Sequence, residues 1–130
     1  MNNRYLYRAK RCDNGEWIVG FYHWTNWRNP QTKEIVEVTH SILPIDYQDS
    51  YHVDSSTICQ CTGLKDKNGK LIWENDIVKI SGHIYVCYWD EYNFEWGLKS
   101  KTETVGLGYI DKCIIEVIGN KFDNPELLEV

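Results

Sequence analysis

Five cysteines, four histidines and nineteen carboxylates are the residues through which this 130-residue chain could do chemistry. Cys59-x-Cys61 is the first candidate. Alternate side chains of a strand share a face, so both thiols would point the same way. Such a pair could hold a metal ion or cycle between dithiol and disulfide. A structural zinc site, however, joins one closely spaced pair of ligands to a second matching pair. Cys12, Cys87 and Cys113 stand alone. The spacing therefore predicts reduced thiols packed as small hydrophobes, with no metal.

Glu74 and Asp76 form the second candidate. Two neighbouring carboxylates divide acid and base work when their surroundings push their pKa values apart. In a turn the same residues accept backbone N–H bonds instead. Glu74-Asn75-Asp76 separates two short apolar runs, which favours the turn role. His23, His40, His52 and His83 are scattered, no serine lies in a nucleophile-elbow pattern, and no glycine-rich phosphate loop is present. A nucleophile, base and stabiliser cannot be assembled from these residues. The expectation is a protein that is not an enzyme and carries no cofactor.

Recognition is the other chemistry. Arg4, Arg8, Lys10 and Arg11 make the first predicted strand basic in a chain of net charge −5. That net charge opposes a protein that grips nucleic acid with its whole surface, but not a local patch. Trp24 and Trp27 come further along, in a stretch also holding Asn26, Asn29 and Pro30. Exposed, such rings can stack on a base or sugar; buried, they close one end of a sheet or a subunit contact. Six Trp and nine Tyr in so short a chain suit interface anchors.

These residues need a scaffold, and aromatic and β-branched enrichment points to sheet. The stretch from Thr62 to Ile80, TGLKDKNGKLIWENDIVKI, organises it. Asn68-Gly69 suits the two central positions of a type I′ turn, Asn75 sits where positive φ is wanted, and Ile77 to Ile80 is a β-branched strand. Upstream, Arg4 to Lys10 and Glu16 to Tyr22 read as a hairpin about Asp13-Asn14-Gly15. His23 to Gln31 reads as a loop, Glu34 to Thr39 as a strand, and Asp46 to Ser56 as a polar, mobile segment. Downstream, Ile84 to Trp89, Phe94 to Leu98 and Ile114 to Gly119 read as strands. Ile84, Val86 and Tyr88 share one face, and Phe94 aligns with Trp96 and Leu98. Short strands joined by tight turns between Asp76 and Gly119 suggest a small SH3-like barrel. Asn124, Pro125 and Glu126 suit an N-cap and the first positions of a short helical turn.

The central stretch resembles the YopX family of bacteriophages and prophages. Thr62, Gly63, Leu64, Asp66, Lys67, Asn68, Gly69, Ile72, Trp73, Glu74, Asp76, Ile77 and Val78 match its pattern, and Asn75 replaces the usual glycine. Leu6 to Arg11 with Asp13 to Trp17 and Gly20 resemble the family's opening. Val53, Asp54, Thr57 and Gln60 resemble its approach to the motif, and Val117 to Asn120 with Asn124 to Leu128 its ending. The resemblance implies a phage or prophage accessory protein and brings no activity or catalytic residue with it. Family members carry glycine and an aromatic where this chain has Cys59 and Cys61.

The expectation is thus a mainly β protein: one YopX-like domain over residues 1–130, or two packed halves. An N-terminal β-hairpin region would occupy 1–58, and a small barrel with a short C-terminal helical turn 59–130. The matched motif residues are read as structural. The function is read as binding and assembly through protein–protein contacts, as a homo-oligomer or with a host or phage protein. A nucleic-acid module using Arg8, Lys10, Arg11, Trp24 and Trp27 is the alternative. No run of apolar residues is long enough to span a membrane, and the N-terminus lacks an apolar export core, so the bacterial cytoplasm is the expected compartment.

Overall fold

The structure is a computed structural model that describes residues 3–46 and 49–129. It is mainly antiparallel sheet with short 3₁₀ turns, and the chain divides into two compact units. One unit is Tyr5–Gln60; the other is Cys61–Val130 with Met1–Arg4.

The first unit contains β1 (Tyr7–Lys10), β2 (Trp17–Arg28), β3 (Ile35–Leu43), β4 (Tyr51–His52) and the start of β5 (Cys59–Lys65). They pair antiparallel in the order β4-β3-β2-β1-β5, with Tyr7 opposite Gln60 and Arg8 opposite Cys59. The first hairpin turn uses Gly15 at φ 73°, and the Asn14 side chain accepts the Glu16 N–H at 2.9 Å. Ala9, Ile42 and Val53 are buried here, with Tyr7, Ile18 and Ile58 packed against them. Gly20 lies under the backbone of β3: an added Cβ would sit 2.2 Å from the Leu43 carbonyl oxygen.

Four expectations change in this unit. Asn3–Tyr5 is a 3₁₀ turn, so the first strand starts later than Arg4. The expected loop from His23 to Gln31 is strand as far as Arg28. Tyr22, Trp24, Trp27 and Thr25 are strong strand formers, and pairing with β3 overrides the turn preference of Asn26. The turn itself falls at Asn29 to Lys33, where the Asn29 side chain accepts the Gln31 and Thr32 N–H groups and Lys33 takes φ 65°. β3 likewise continues past Thr39 to Leu43. Of the expected mobile segment, Tyr47 and Gln48 lie outside the described residues, while the rest includes β4 and a 3₁₀ turn at Ser55–Thr57 capped by Asp54.

The second unit contains the remainder of β5, β6 (Leu71–Trp73), β7 (Asp76–Ile80), β8 (His83–Asp90), β9 (Glu95–Lys99), β10 (Thr104–Gly106) and β11 (Glu116–Asn120). Five strands form an antiparallel sheet in the order β10-β9-β8-β7-β11. Its outer strands β10 and β11 do not pair with each other, so the sheet is open and no closed barrel forms. Ile72, Val78, Ile80, Tyr85, Cys87, Leu98, Leu107, Ile115 and Val117 make the core. On β8 the core face carries Tyr85 and Cys87, while Ile84, Val86 and Tyr88 share the opposite, half-buried face. Phe94 is outside β9, exposed in a turn at φ 52°, so its alignment with Trp96 and Leu98 does not hold. The last segment, Pro125–Leu128, is a single 3₁₀ turn. Asn124 does not cap it through its side chain; its Oδ1 accepts the Asn120 N–H at 3.2 Å instead.

Candidate functional site

The central motif is a hairpin pinned by buried side chains. Thr62 Oγ1 donates to the Ile72 carbonyl at 2.7 Å and accepts the Leu64 N–H at 3.1 Å. Asp66 Oδ1 accepts the N–H groups of Asn68 and Lys70, both at 2.9 Å. Its Oδ2 accepts the Val117 N–H at 2.9 Å. Burial pushes this carboxyl up, but the three N–H donors and the nearby Lys70 charge outweigh it and hold it below the ordinary aspartate range. The turn is not type I′. Gly69 alone takes positive φ, at 79°, and its N–H bonds to the Asp66 carbonyl at 3.0 Å. A type I turn closed by a left-handed glycine gives that pattern, and the Asp66 carboxylate selects it by bonding the Asn68 N–H.

Asp76 is nearly inaccessible, at 1%, and its Oδ2 accepts the Trp73 N–H at 2.8 Å. Between them Asn75 takes φ 70°, as the sequence requires of a residue standing in for glycine. Its N–H bonds to the Cys87 carbonyl at 2.8 Å, and its own carbonyl accepts the Lys121 N–H at 3.0 Å. Glu74 is half-buried beside it. Gly63, at φ 82°, lies under the Arg4 side chain. The Asp66 and Asp76 carboxylates therefore hold backbone rather than facing an open cleft.

The basic residues of the first hairpin lie against aromatic rings. The Arg8 guanidinium is 4.7 Å and the Lys10 ammonium 5.4 Å from the Trp17 ring centre. Arg11 lies 4.0 Å from the Tyr51 ring and bonds Asp13 through Nε at 2.8 Å. Asp13 raises the Arg11 pKa, and Arg11 lowers that of Asp13. These charges are not brought together with Trp24 and Trp27. β1 pairs with β2 only from Trp17 to Gly20. Trp27 is about 23 Å further along, at about 3.3 Å per residue. Trp24 and Trp27 also face opposite sides of β2, because Trp24 pairs with His40 and Trp27 with Glu37.

What the structure does assemble is an apolar ribbon. Beyond the pairing with β1, β2 continues with β3 alone, and β4 covers only Ser41 and Ile42 of β3. Val19, Phe21, Trp24 and Trp27 of β2 and Ile35, Val36 and Val38 of β3 are exposed, Trp24 and Trp27 by more than half. The stripe that is core at Ala9, Ile18 and Ile42 continues outward as Trp24 and Val38. Tyr22 marks the end of that core: it stacks on His40 at 5.9 Å, and its hydroxyl lies 2.6 Å from His40 Nδ1. Sequence reasoning named the two tryptophans but missed Phe21, Ile35, Val36 and Val38. The signal was present in Ile35-Val36-Glu37-Val38, where apolar residues occupy both alternations of one strand.

Cys59 and Cys61 are buried, with the Cys59 thiol donating to the Thr57 carbonyl at 3.2 Å and Cys61 Sγ accepting the Gly63 N–H at 3.4 Å. Among the described residues no group of three or more His, Cys, Asp or Glu is placed to hold a metal. Cys113 is exposed, but its contact with Asp111 raises the thiol pKa, which lowers its thiolate fraction. Among the described residues no helix is long and apolar enough to cross a membrane.

Fold and motif together define a mainly antiparallel β protein built around a carboxylate-pinned hairpin. The chain belongs to the YopX family: the family model, described as YopX protein, matches residues 6–129. Among solved structures it is similar to the X-ray crystal structure of protein yopX from Bacillus subtilis, at 24% identity and a TM-score of 0.53, covering 100% of this chain and 98% of that one. That likeness is one of fold. No curated protein matches the chain.

Proposed function

We propose that this protein is a non-enzymatic binding and assembly module of a phage or prophage, acting through protein–protein contacts in the cytoplasm of a bacterial host. The β2–β3 ribbon carries the reading. Six large apolar side chains, Phe21, Trp24, Trp27, Ile35, Val36 and Val38, lie exposed on a two-stranded extension. A lone two-stranded ribbon is marginal in water, and large apolar side chains exposed on both of its faces mark an interaction surface. The ribbon's outer strand edges also lack lysine and proline from Val19 to Trp27 and from Ile35 to Leu43, the residues that ordinarily guard an edge against pairing. A second copy of the chain, bringing an identical ribbon, is the simplest cover for it.

The five-stranded sheet of the second unit is best read as SH3-like in strand order. Its last strand returns beside its first after a 3₁₀ connection, at Lys112–Ile114, although the ring is open. Nucleic-acid binding is the weaker reading, because Arg8, Lys10 and Arg11 lie on tryptophan and tyrosine faces well away from Trp24 and Trp27. Light scattering at low and high salt, with and without short single-stranded DNA, tests the proposal. Assembly predicts a mass several times 15.4 kDa that ignores DNA. A monomer that gains mass only with DNA at low salt overturns it.

A further inference from the structure

Across the sheet of the second unit one row reads Tyr88 on β8, Gly97 on β9 and Gly106 on β10, paired in turn. Residues directly opposite each other share a face, so whatever stands over these positions stands on one side of the sheet. A Cβ at Gly97 would sit 2.7 Å from Cε1 of the Tyr88 ring. A Cβ at Gly106 would sit 2.6 Å from Cδ2 of the Tyr109 ring and 3.0 Å from Glu95 Oε1. Tyr109 comes from the 3₁₀ turn Leu107–Tyr109, and Glu95 from the same face of β9 as Gly97. The two meet over Gly106. One cation can touch both, since a cation–π contact reaches about 6 Å from the ring centre.

Covering a glycine accounts for Tyr88, which is half-buried. It does not account for Tyr109, which stays 83% exposed. Among the described residues the Glu95 carboxylate takes no hydrogen bond or ion pair, and no cation lies on the Tyr109 ring. Asp90, opposite Glu95, is committed to its turn, accepting the Tyr92 N–H and the Asn93 side-chain amide, each at 2.9 Å. Lys112, the basic residue nearest Tyr109 in sequence, donates to the Leu107 and Ile110 carbonyls at 3.0 and 2.8 Å. Lys99 is four residues from Glu95 along β9, about 13 Å at about 3.3 Å per residue. From Tyr88 to Leu98 the chain has Asp90, Glu91 and Glu95 and no lysine or arginine, a balance that favours a cation and opposes a phosphate.

The first hairpin shows what a tyrosine and a carboxylate hold together. Arg11 lies 4.0 Å from the Tyr51 ring, and its Nε donates to the Asp13 carboxylate at 2.8 Å. A planar guanidinium can give its face to a ring and its edge of donors to a carboxylate at once. We propose that Tyr109 and Glu95, with Tyr88 beside them, bind an arginine side chain of a polypeptide partner. The guanidinium stacks on Tyr109 and donates to Glu95, and the apolar stem lies along Tyr88. The groups are open to solvent, so one arginine binds weakly and serves as one anchor of a wider contact. The site shares no residue with the β2–β3 ribbon.

N-acetyl-argininamide is the probe, titrated at low salt and followed by two-dimensional NMR of the ¹⁵N-labelled protein. Saturable shifts are expected at the amides of residues 95–97 and 105–110. N-acetyl-citrullinamide, which keeps the shape and lacks the charge, is expected to bind more weakly. Methylguanidinium, which keeps the charge and lacks the stem, is expected to do the same. Glu95→Gln and Tyr109→Leu are each expected to keep their spectra elsewhere and to bind the probe about threefold more weakly, the scale of one exposed ion pair or one exposed cation–π contact. Shifts confined to other residues, equal binding of the citrulline compound, or variants that bind like the parent would each overturn the site. Equal binding of methylguanidinium would make it a site for small cations and overturn the polypeptide partner. Loss of the ribbon's assembly would leave these shifts in place, so the two proposals fail separately.

Discussion

The Asp66 carboxylate accepts the backbone N–H of Val117 at 2.9 Å, joining the central hairpin to the last strand across 51 residues of sequence. The neighbouring bond from the Lys67 N–H to the Ile115 carbonyl, also 2.9 Å, runs beside it. A residue that looks like turn chemistry is thus also a long-range tie, and β11 depends on it for one of its donors.

Replacing Asp66 tests this tie. Asp66→Asn keeps one acceptor oxygen for the turn but turns an amide NH₂ or loses an acceptor toward the Val117 N–H. The expected loss is about 2 kcal/mol of unfolding free energy, the scale of a buried donor left unsatisfied. Urea unfolding of parent and variant measures it. A difference within about 0.5 kcal/mol, typical of surface changes, would deny the tie.

The same residue gives stability a pH dependence. Its folded pKa lies below the ordinary value, so the charged form is favoured by folding. That contribution is complete above the unfolded aspartate pKa of about 3.9 and is lost as pH falls through the depressed folded value. The stability gap between parent and Asp66→Asn should therefore be widest near neutral pH and shrink in acid. A gap that grows on acidification would reverse the sign of the argument.

Asn75 separates conformational from chemical need. At φ 70° a glycine fits without strain and a β-branched residue does not. Asn75→Gly is expected to fold within about 1 kcal/mol of the parent, and Asn75→Val to lose about 2 kcal/mol. Thermal unfolding of the two variants compares them; equal loss in both would mean the Asn side chain, not the backbone, is what matters.

Gly20 carries a different constraint. An added Cβ would lie 2.2 Å from the Leu43 oxygen and 2.8 Å from the Pro44 Cα, both backbone atoms that cannot rotate away. Gly20→Ala should lower the unfolding midpoint by more than Gly69→Ala would by crowding, since nothing lies within 4 Å of a Cβ at Gly69. Gly69→Ala should suffer from its positive φ alone, about 1 kcal/mol.

Much of this was legible in the sequence, and the misses have physical causes. The DKNG turn, the positive φ at Asn75 and the β7 and β8 strands follow from local patterns that tertiary contacts reinforce, whereas Ile114, expected to open the last strand, ends a 3₁₀ turn and β11 starts at Glu116. The turn type at Asn68 was misread because a side-chain acceptor, Asp66, outcompetes the intrinsic Asn-Gly preference. The ribbon was half-missed because Asn26 and Pro30 read as loop, whereas strand pairing decides residues 23–28.

Ribbon residues should act on assembly more than on folding. Trp24 and Val38 are exposed, so Trp24→Ser with Val38→Ser should shift the unfolding free energy by about 1 kcal/mol or less while lowering the solution mass toward 15.4 kDa. Unchanged mass with an unchanged fold would place the contact elsewhere.

The most direct measurement is amide hydrogen exchange of the segments 21–28 and 35–40 by mass spectrometry, at high and at low protein concentration. If the ribbon is the assembly surface, its amides are protected at high concentration and exchange rapidly on dilution, while β7 and β8 stay protected throughout. Rapid exchange of the ribbon at every concentration would contradict the account.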